Sequence, residues 1–218
     1  DVYKRQTQYN AFHLNMVANE MFLDTALQRS SVVSHAKLLN YTPRSATAPT
    51  AIVNITTSND TDGSVTLPAY TNFLSESVNG TNYNFISTHS TTVNTSGGVA
   101  TFDNIELRQG ISATYTFTVN SSTNPGYVFE LPDNSIDTST LTVYVYQSAG
   151  SSSFDIYNHA NKYITLDSTS QVYFLQEGLS GNYELIFGDG VLGKQLTDGN
   201  VISVGYLITQ GTIAAGAN

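Results

Sequence analysis

The spacing of hydrophobic residues changes once along the chain, near residue 50. Between residues 8 and 40 apolar side chains recur at helical intervals, with Phe12, Met16, Ala18, Phe22 and Ala26 on one face and Val17 and Met21 beside it. A second helical segment follows in "SVVSHAKLLNY". There Ser30 or Ser31 is placed to cap the first turn, and Val32, Val33, Ala36 and Leu39 line one side. Pro43 restricts the residue before it, so the helix is expected to stop near Tyr41.

From Ala51 onward the period is two. "AIVNITT", "NYNFIST", "SATYTFTV", "GYVFEL" and "LTVYVYQ" are runs of β-branched and aromatic residues, and "NTSGGVATF" and "NSSTNPGY" are turn sequences between strands. The Gly/Ser stretch Ser148–Phe154 is the best domain boundary, and "QVYFLQE", "NYELIFG" and "VISVGYLIT" form a second group of strands beyond it. No period of 20–50 residues repeats, which argues against a solenoid or propeller.

The expected fold is therefore α+β and mostly β, an N-terminal helical arm followed by antiparallel β domains. The arm takes residues 7–45, a β-rich domain 46–150, and a second β-rich domain 151–218, truncated at its C-terminus. Residues 1–6, "DVYKRQ", stand apart from this reading. One reverse translation, GATGTGTATAAGAGACAG, spells a transposon end used in sequencing-library preparation, so these six are set aside as adapter-derived.

Composition narrows the function classes. Only 11% of residues are charged, against roughly 25% in ordinary soluble proteins, and Ser, Thr, Asn, Gly and Tyr take their place. That favours strands, turns and contact surfaces over solvated helices. A net charge of −9 and no basic run argue against nucleic acid or an anionic membrane as partner. There is no cysteine, which removes disulfides, thiolate metal sites and cysteine nucleophiles and leaves the compartment open. No apolar run approaches the roughly 20 residues of a membrane-spanning helix.

The stretch "YELIFGDGVLGKQLTDG" is the one place where the sequence suggests nucleotide chemistry. Gly188, Gly190 and Gly193 fit G-x-G-x-x-G, and Gly188, Gly193 and Lys194 fit all but the last letter of G-x-x-x-x-G-K-[ST]. Both motifs require a helix whose N-terminal amides meet the phosphate. Here turn residues Thr197–Asn200 lead into the strand-like run Val201–Ile208, and Gln195 stands where a magnesium-ligating hydroxyl belongs. The expected element is a glycine turn at Gly188, Asp189, Gly190 and Gly193, with no cofactor.

Other motifs are weaker. Asn59–Gly63 resembles a calcium loop but places Ala69 where a bidentate Glu belongs. The four histidines lack metal-ligand spacing, and His35 reads as a surface or half-buried polar residue. Asn-x-Ser/Thr sequons, among them those at Asn54, Asn59, Asn79, Asn94 and Asn120, follow from composition. No nucleophile elbow or paired-carboxylate signature places a hydrolytic site, and the expectation is a non-enzyme without a small-molecule substrate.

Two blocks carry a family resemblance. "MFLDTALQRSSVVSHAKLLNYTPRSATAPTA", Met21–Ala51, and "ELIFGDGVLGKQLTDGNVISVGYLITQGTIAAGAN", Glu184–Asn218, flank a connecting region "LPDNSIDTSTLTVYV", Leu131–Val145. In this order they resemble the baseplate J-like family of contractile phage tails, T-even-type wedge proteins in particular. The resemblance implies a structural virion component that packs on other baseplate wedge subunits through N-terminal helices and on a second copy of itself. It further implies assembly in the host cytoplasm, a place in the tail baseplate, and a role in holding the ring together during sheath contraction. It makes the glycine stretch a hairpin and leaves the family's more C-terminal region beyond this chain. Phe12, Met16, Phe22, Val32, Val33 and Leu39 are the expected partner-docking face, the alternative being that this face packs on the chain's own β domain.

Two readings from other classes remain. A carbohydrate-binding or adhesin β domain of a phage tail or cell surface suits the density of Tyr, Asn and Thr. A tail-associated hydrolase would act on peptidoglycan or polysaccharide. Neither accounts for Met21–Ala51.

Overall fold

The period change near residue 50 marks a change in structure. A computed structural model describes residues 2–39, 41–58, 63–77, 80–160, 166–178 and 180–210. Two helices come first, α1 (Val2–Glu20) and α2 (Arg29–Leu38). The strands that follow are β1 (Thr50–Ser58), β2 (Ser64–Leu67), β3 (Asn72–Leu74), β4 (Asn84–Ser87), β5 (Thr91–Asn94), β6 (Val99–Gln109) and β7 (Ile111–Thr118). After a short 3-10 turn at Pro125–Tyr127 come β8 (Val128–Glu130), β9 (Ile136–Tyr146), β10 (Phe154–His159), β11 (Val172–Glu177), β12 (Tyr183–Phe187) and β13 (Val201–Ile208). The protein is mostly β, with helices at the N-terminal end and mainly antiparallel pairing beyond them, as the sequence predicts.

The chain forms two units whose segments alternate along the sequence. The first comprises Asp1–Arg44, Val119–Asn134 and Asn158–Asp198, the second Ser45–Thr118, Ser135–Tyr157 and Gly199–Asn218. The consecutive division at 46–150 and 151–218 therefore differs from the clustering of the fold. The Gly/Ser stretch Ser148–Phe154 is not a linker but the loop of a hairpin. Phe154–Tyr157 of β10 pair back on Val143–Tyr146 of β9, and Ser151 N donates to Ser148 O at 3.1 Å to close the turn. Small residues serve a tight reversal as well as they serve a boundary, so composition could not separate the two.

In the first unit, β12 lies between β11 and β8, antiparallel to both. Its alternating pattern buries Tyr183, Leu185 and Phe187. Phe187 meets Phe129 of β8 edge to face at 5.7 Å, a favoured aromatic geometry. The last two residues of β10 run parallel to β11, Asn158 opposite Val172 and His159 opposite Tyr173. Helix α2 joins this unit by burying Val33 and Ala36. Beyond α2, Thr42 Oγ1 donates to Leu175 O at 2.7 Å, and Tyr183 Oη donates to Pro43 O at 3.4 Å.

The second unit contains a sheet in the order β1-β6-β4-β3, a two-stranded ribbon β2-β5, and the antiparallel order β7-β13-β9-β10. Ala100, Phe102, Ile105 and Leu107 of β6 form a core cluster packed by Val53, Ile55, Val65, Leu67, Phe73, Phe85 and Val93. The buried positions of β6 change parity after Phe102. Asn104 takes a left-handed φ of +55°, and the β1–β6 register shifts between Val53 and Ile55. The bulge is held by Asn104 N donating to Asn54 Oδ1 at 2.8 Å. Near the entry to β1, the buried carboxylate of Asp137 accepts from Ala48 N at 2.9 Å, Ser139 N at 3.0 Å and Ser139 Oγ at 2.7 Å.

Candidate functional site

Helix α1 is helical from Val2, so residues 1–6 extend the arm where they are described, and none of its side chains is buried. An isolated helix of this length is marginal in water unless one face is covered. Of the predicted docking residues, Phe12 is 61% exposed and Met16 41%. Phe22 is 65% exposed, but it lies in the turn between α1 and α2 rather than on a continuous helix face. Leu39, at the C-cap of α2, is 72% exposed and Val32 is half-buried. Val33 requires a correction: at 2% exposure it belongs to the core of its own unit and offers nothing to a partner. The predicted face is thus divided, because the 3.6-residue repeat breaks between Met21 and Gln28.

The joint between the helices is built on Glu20. Its carboxylate accepts from Leu27 N at 3.0 Å and Gln28 N at 3.3 Å, just ahead of α2. The hydroxyl of Ser31 and these backbone donors hold the Glu20 carboxyl below its ordinary range. Its backbone carbonyl accepts from His35 Nε2 at 3.0 Å. The N-cap residue of α2 is Gln28, which makes no side-chain capping bond. The capping expected of Ser30 or Ser31 is supplied instead by a carboxylate from the end of α1.

The glycine stretch follows β12. Gly188 forms an isolated parallel bridge with Gln195, and Gly190 N donates to Gly193 O at 3.1 Å. Asp189 Oδ1 accepts from Val191 N at 2.9 Å and Leu192 N at 3.0 Å, and the Leu192 bond contributes most to lowering its pKa. Gly193 N donates to Asp167 O at 2.9 Å and Lys194 N to Ser170 O at 2.7 Å. A Cβ on Gly188 would lie 2.3 Å from the carbonyl carbon of Gly193, and Gly193 itself has φ +94°. The glycines therefore serve backbone contact. The amides of residues 190–194 are spent on the protein's own oxygens, and Val201–Ile208 is a strand where a phosphate loop needs a helix.

The implied hairpin is not formed. β12 has β11 and β8 on its two sides and β13 has β7 and β9, so the strands flanking the glycine loop do not pair with each other. Among the described residues no cluster of three His, Asp or Glu side chains could hold a metal ion, and no described helix is long and apolar enough to cross a membrane. The calcium-like stretch at residues 59–62 and the sequons at Asn59 and Asn79 lie outside the described residues.

An exposed helix carrying several apolar side chains, in a low-charge and mostly β chain, suits a structural subunit, and comparison with known proteins points the same way. The chain is similar to the "Baseplate wedge protein gp6" of Enterobacteria phage T4, with 27% identity over 234 aligned residues. The alignment covers 96% of this chain and 34% of that protein, so the chain spans about a third of its relative's length. No protein-family profile matches the chain.

Proposed function

We propose that this chain is a structural, non-enzymatic part of a phage tail baseplate wedge. In this reading it joins other wedge subunits and a second copy of itself, is built into the tail in the host cytoplasm, and helps hold the baseplate ring as the sheath contracts. The observation that carries the docking role is α1, a nineteen-residue helix with no buried side chain and with Tyr9, Phe12, Leu14 and Val17 each more than 60% exposed. Single exposed apolar residues are ordinary, but several on one helix that buries none of its side chains suit a partner's groove or a helix bundle. The similarity to a wedge protein supports the identity of that partner.

Co-expression with the wedge subunits of a related phage tests the reading. Wild-type protein is expected to co-purify with at least one of them. Phe12→Asp combined with Phe22→Asp is expected to abolish the complex while leaving the melting temperature unchanged. Undiminished assembly by the folded double variant would remove the docking role, and failure of the wild type to bind any wedge subunit would remove the wedge reading itself.

A further inference from the structure

The second unit carries a groove that its scaffold has no evident use for. Two cavities, of about 190 and about 200 Å³, lie side by side about Tyr70 and Thr142, which line both. Thr88, His89, Arg108 and Ser139 line the first, while Ser112, Thr114, Tyr144, Ser203 and Gly205 line the second.

Three features of the backbone converge there. Tyr70, half exposed, has φ +63°, a conformation that a bulky residue adopts only when its surroundings enforce it. Fully buried Ser87 does so: its carbonyl accepts from Tyr70 N at 2.7 Å, its Oγ accepts from Thr71 N at 3.0 Å, and the same Oγ donates to Pro68 O at 2.9 Å. Across the groove, the β13–β9 register shifts between Gly205 and Leu207. At Gly205 itself a Cβ would lie 2.6 Å from Thr142 Oγ1. A bulge, an interior strand glycine and a strained aromatic on one concavity are the devices by which sheets shape binding sites.

The chemistry of the lining selects the ligand. Arg108 is neutralised by Glu106 at 3.0 Å, has Asp137 at 3.8 Å, and donates to Ser139 Oγ at 3.0 Å. An anion therefore finds no unspent guanidinium there. What remains is the half-exposed phenol ring of Tyr70, that of Tyr144, which packs edge to face on Phe154 at 5.0 Å, and the hydroxyls of Ser112, Thr114 and Ser203, each able both to donate and to accept. An apolar C–H face to stack on a ring, edged by hydroxyls, describes a sugar.

We propose that this groove binds an uncharged glycan, with one pyranose ring stacked on Tyr70 and its hydroxyls exchanging hydrogen bonds with Ser112, Thr114 and Ser203. The site is independent of α1 and of the wedge reading. The 218-residue chain is screened on an array of neutral hexose and N-acetylhexosamine oligomers, with sialylated and uronic-acid glycans alongside. The strongest neutral binder is then titrated by NMR. Saturable binding is expected, with shifts concentrated at Tyr70, Thr114 and Tyr144. Tyr70→Asn removes the ring but tolerates left-handed φ, and it is expected to weaken binding by about tenfold at unchanged melting temperature. Should that variant unfold, Thr114→Val, at an exposed strand position, is expected to weaken binding by about threefold. No saturable neutral ligand, preference for the acidic glycans, or wild-type affinity in a folded variant would each overturn the proposal.

Discussion

Arg29 closes on the carboxylate of Glu177 with two hydrogen bonds, Nε to Oε1 at 2.9 Å and Nη2 to Oε2 at 2.7 Å. The Glu177 side chain is 2% exposed and that of Arg29 66%. The pair is thus a buried acid reached by a cation from the surface, and it fixes the first turn of α2 to β11. Removing Arg29 strands the acid in a low-dielectric site. Arg29→Ala is expected to destabilise the protein by about 2–3 kcal/mol, less than a fully enclosed pair because water can enter where the guanidinium lay. Glu177→Gln, which keeps the shape and removes the charge, is expected to cost less. Urea unfolding of the two variants checks the order.

The two helices should respond to substitution in opposite ways. Val33→Ala opens a cavity under α2 and is expected to cost about 2 kcal/mol in denaturant unfolding. Phe12→Asp on α1 is expected to stay within about 0.5 kcal/mol of wild type, because no native contact of the ring is lost to the core. A large loss from Phe12→Asp would show that α1 packs on its own chain in solution.

The glycine loop is tested by a single methyl group. Gly188→Ala places a carbon inside the backbone of Gly193 and is expected to cost about 2–3 kcal/mol. Gly199 also has positive φ (+90°) but has open space around it, so Gly199→Ala is expected to cost only about 1 kcal/mol, from backbone strain. ATP, GTP and NAD are expected to leave the melting temperature of the wild type unshifted, since the loop's amides are already bonded within the protein.

Burial raises the phenols of Tyr157 and Tyr173 from their ordinary value to about 12. A raised acid pKa means that the folded state holds its proton longer than the unfolded chain. Stability from this source is intact below about pH 10 and is lost as pH climbs from there to about 12. Absorbance at alkaline pH is expected to show these two tyrosines ionising after the exposed ones, together with unfolding. Ionisation of all tyrosines near pH 10 in folded protein would contradict their burial.

The acid side has the opposite sign. Glu20, Asp167 and Asp189 are each held below their ordinary pKa by hydrogen bonds to nearby hydroxyls or amides. Their contribution is present above the ordinary carboxylate range and fades as pH falls through the lowered values. Limited proteolysis is expected to cut first between Met21 and Gln28 as the Glu20 carboxylate is protonated. Glu20→Gln is expected to bring that cleavage to neutral pH.

Long apolar runs made most of the β body legible. "AIVNITT", "QVYFLQE", "NYELIFG" and "VISVGYLIT" all became strands with nearly the expected ends. Of the strands that the runs do not show, β2, β3, β5, β6 and β10, the longest is β6, Val99–Gln109. Its core residues sit at 100 and 102 and then at 105 and 107, because the bulge at Asn104 shifts the alternation by one, and a strict period of two cannot follow it. The expected docking face failed at Val33 for a related reason. A helical stripe shows which side is apolar, not whether the chain's own β strands or another molecule covers it. The groove at Tyr70 leaves no local signature, because its lining comes from four strands and two loops. At the glycine stretch the sequence implies a hairpin that does not form, since it does not show that the strands on either side already have other neighbours.

The alternation of segments between the two units has a genetic consequence. Neither unit is encoded by one uninterrupted stretch of sequence, and the reading frame passes back and forth between them at residues 44, 118, 134, 157 and 198. A single recombination crossover inside these boundaries would therefore give a chimera in which both units are of mixed parentage, each with one lineage's strands laid against another's. Exchange between related genes should be tolerated where parental cores match closely, and otherwise this region should be inherited as a block.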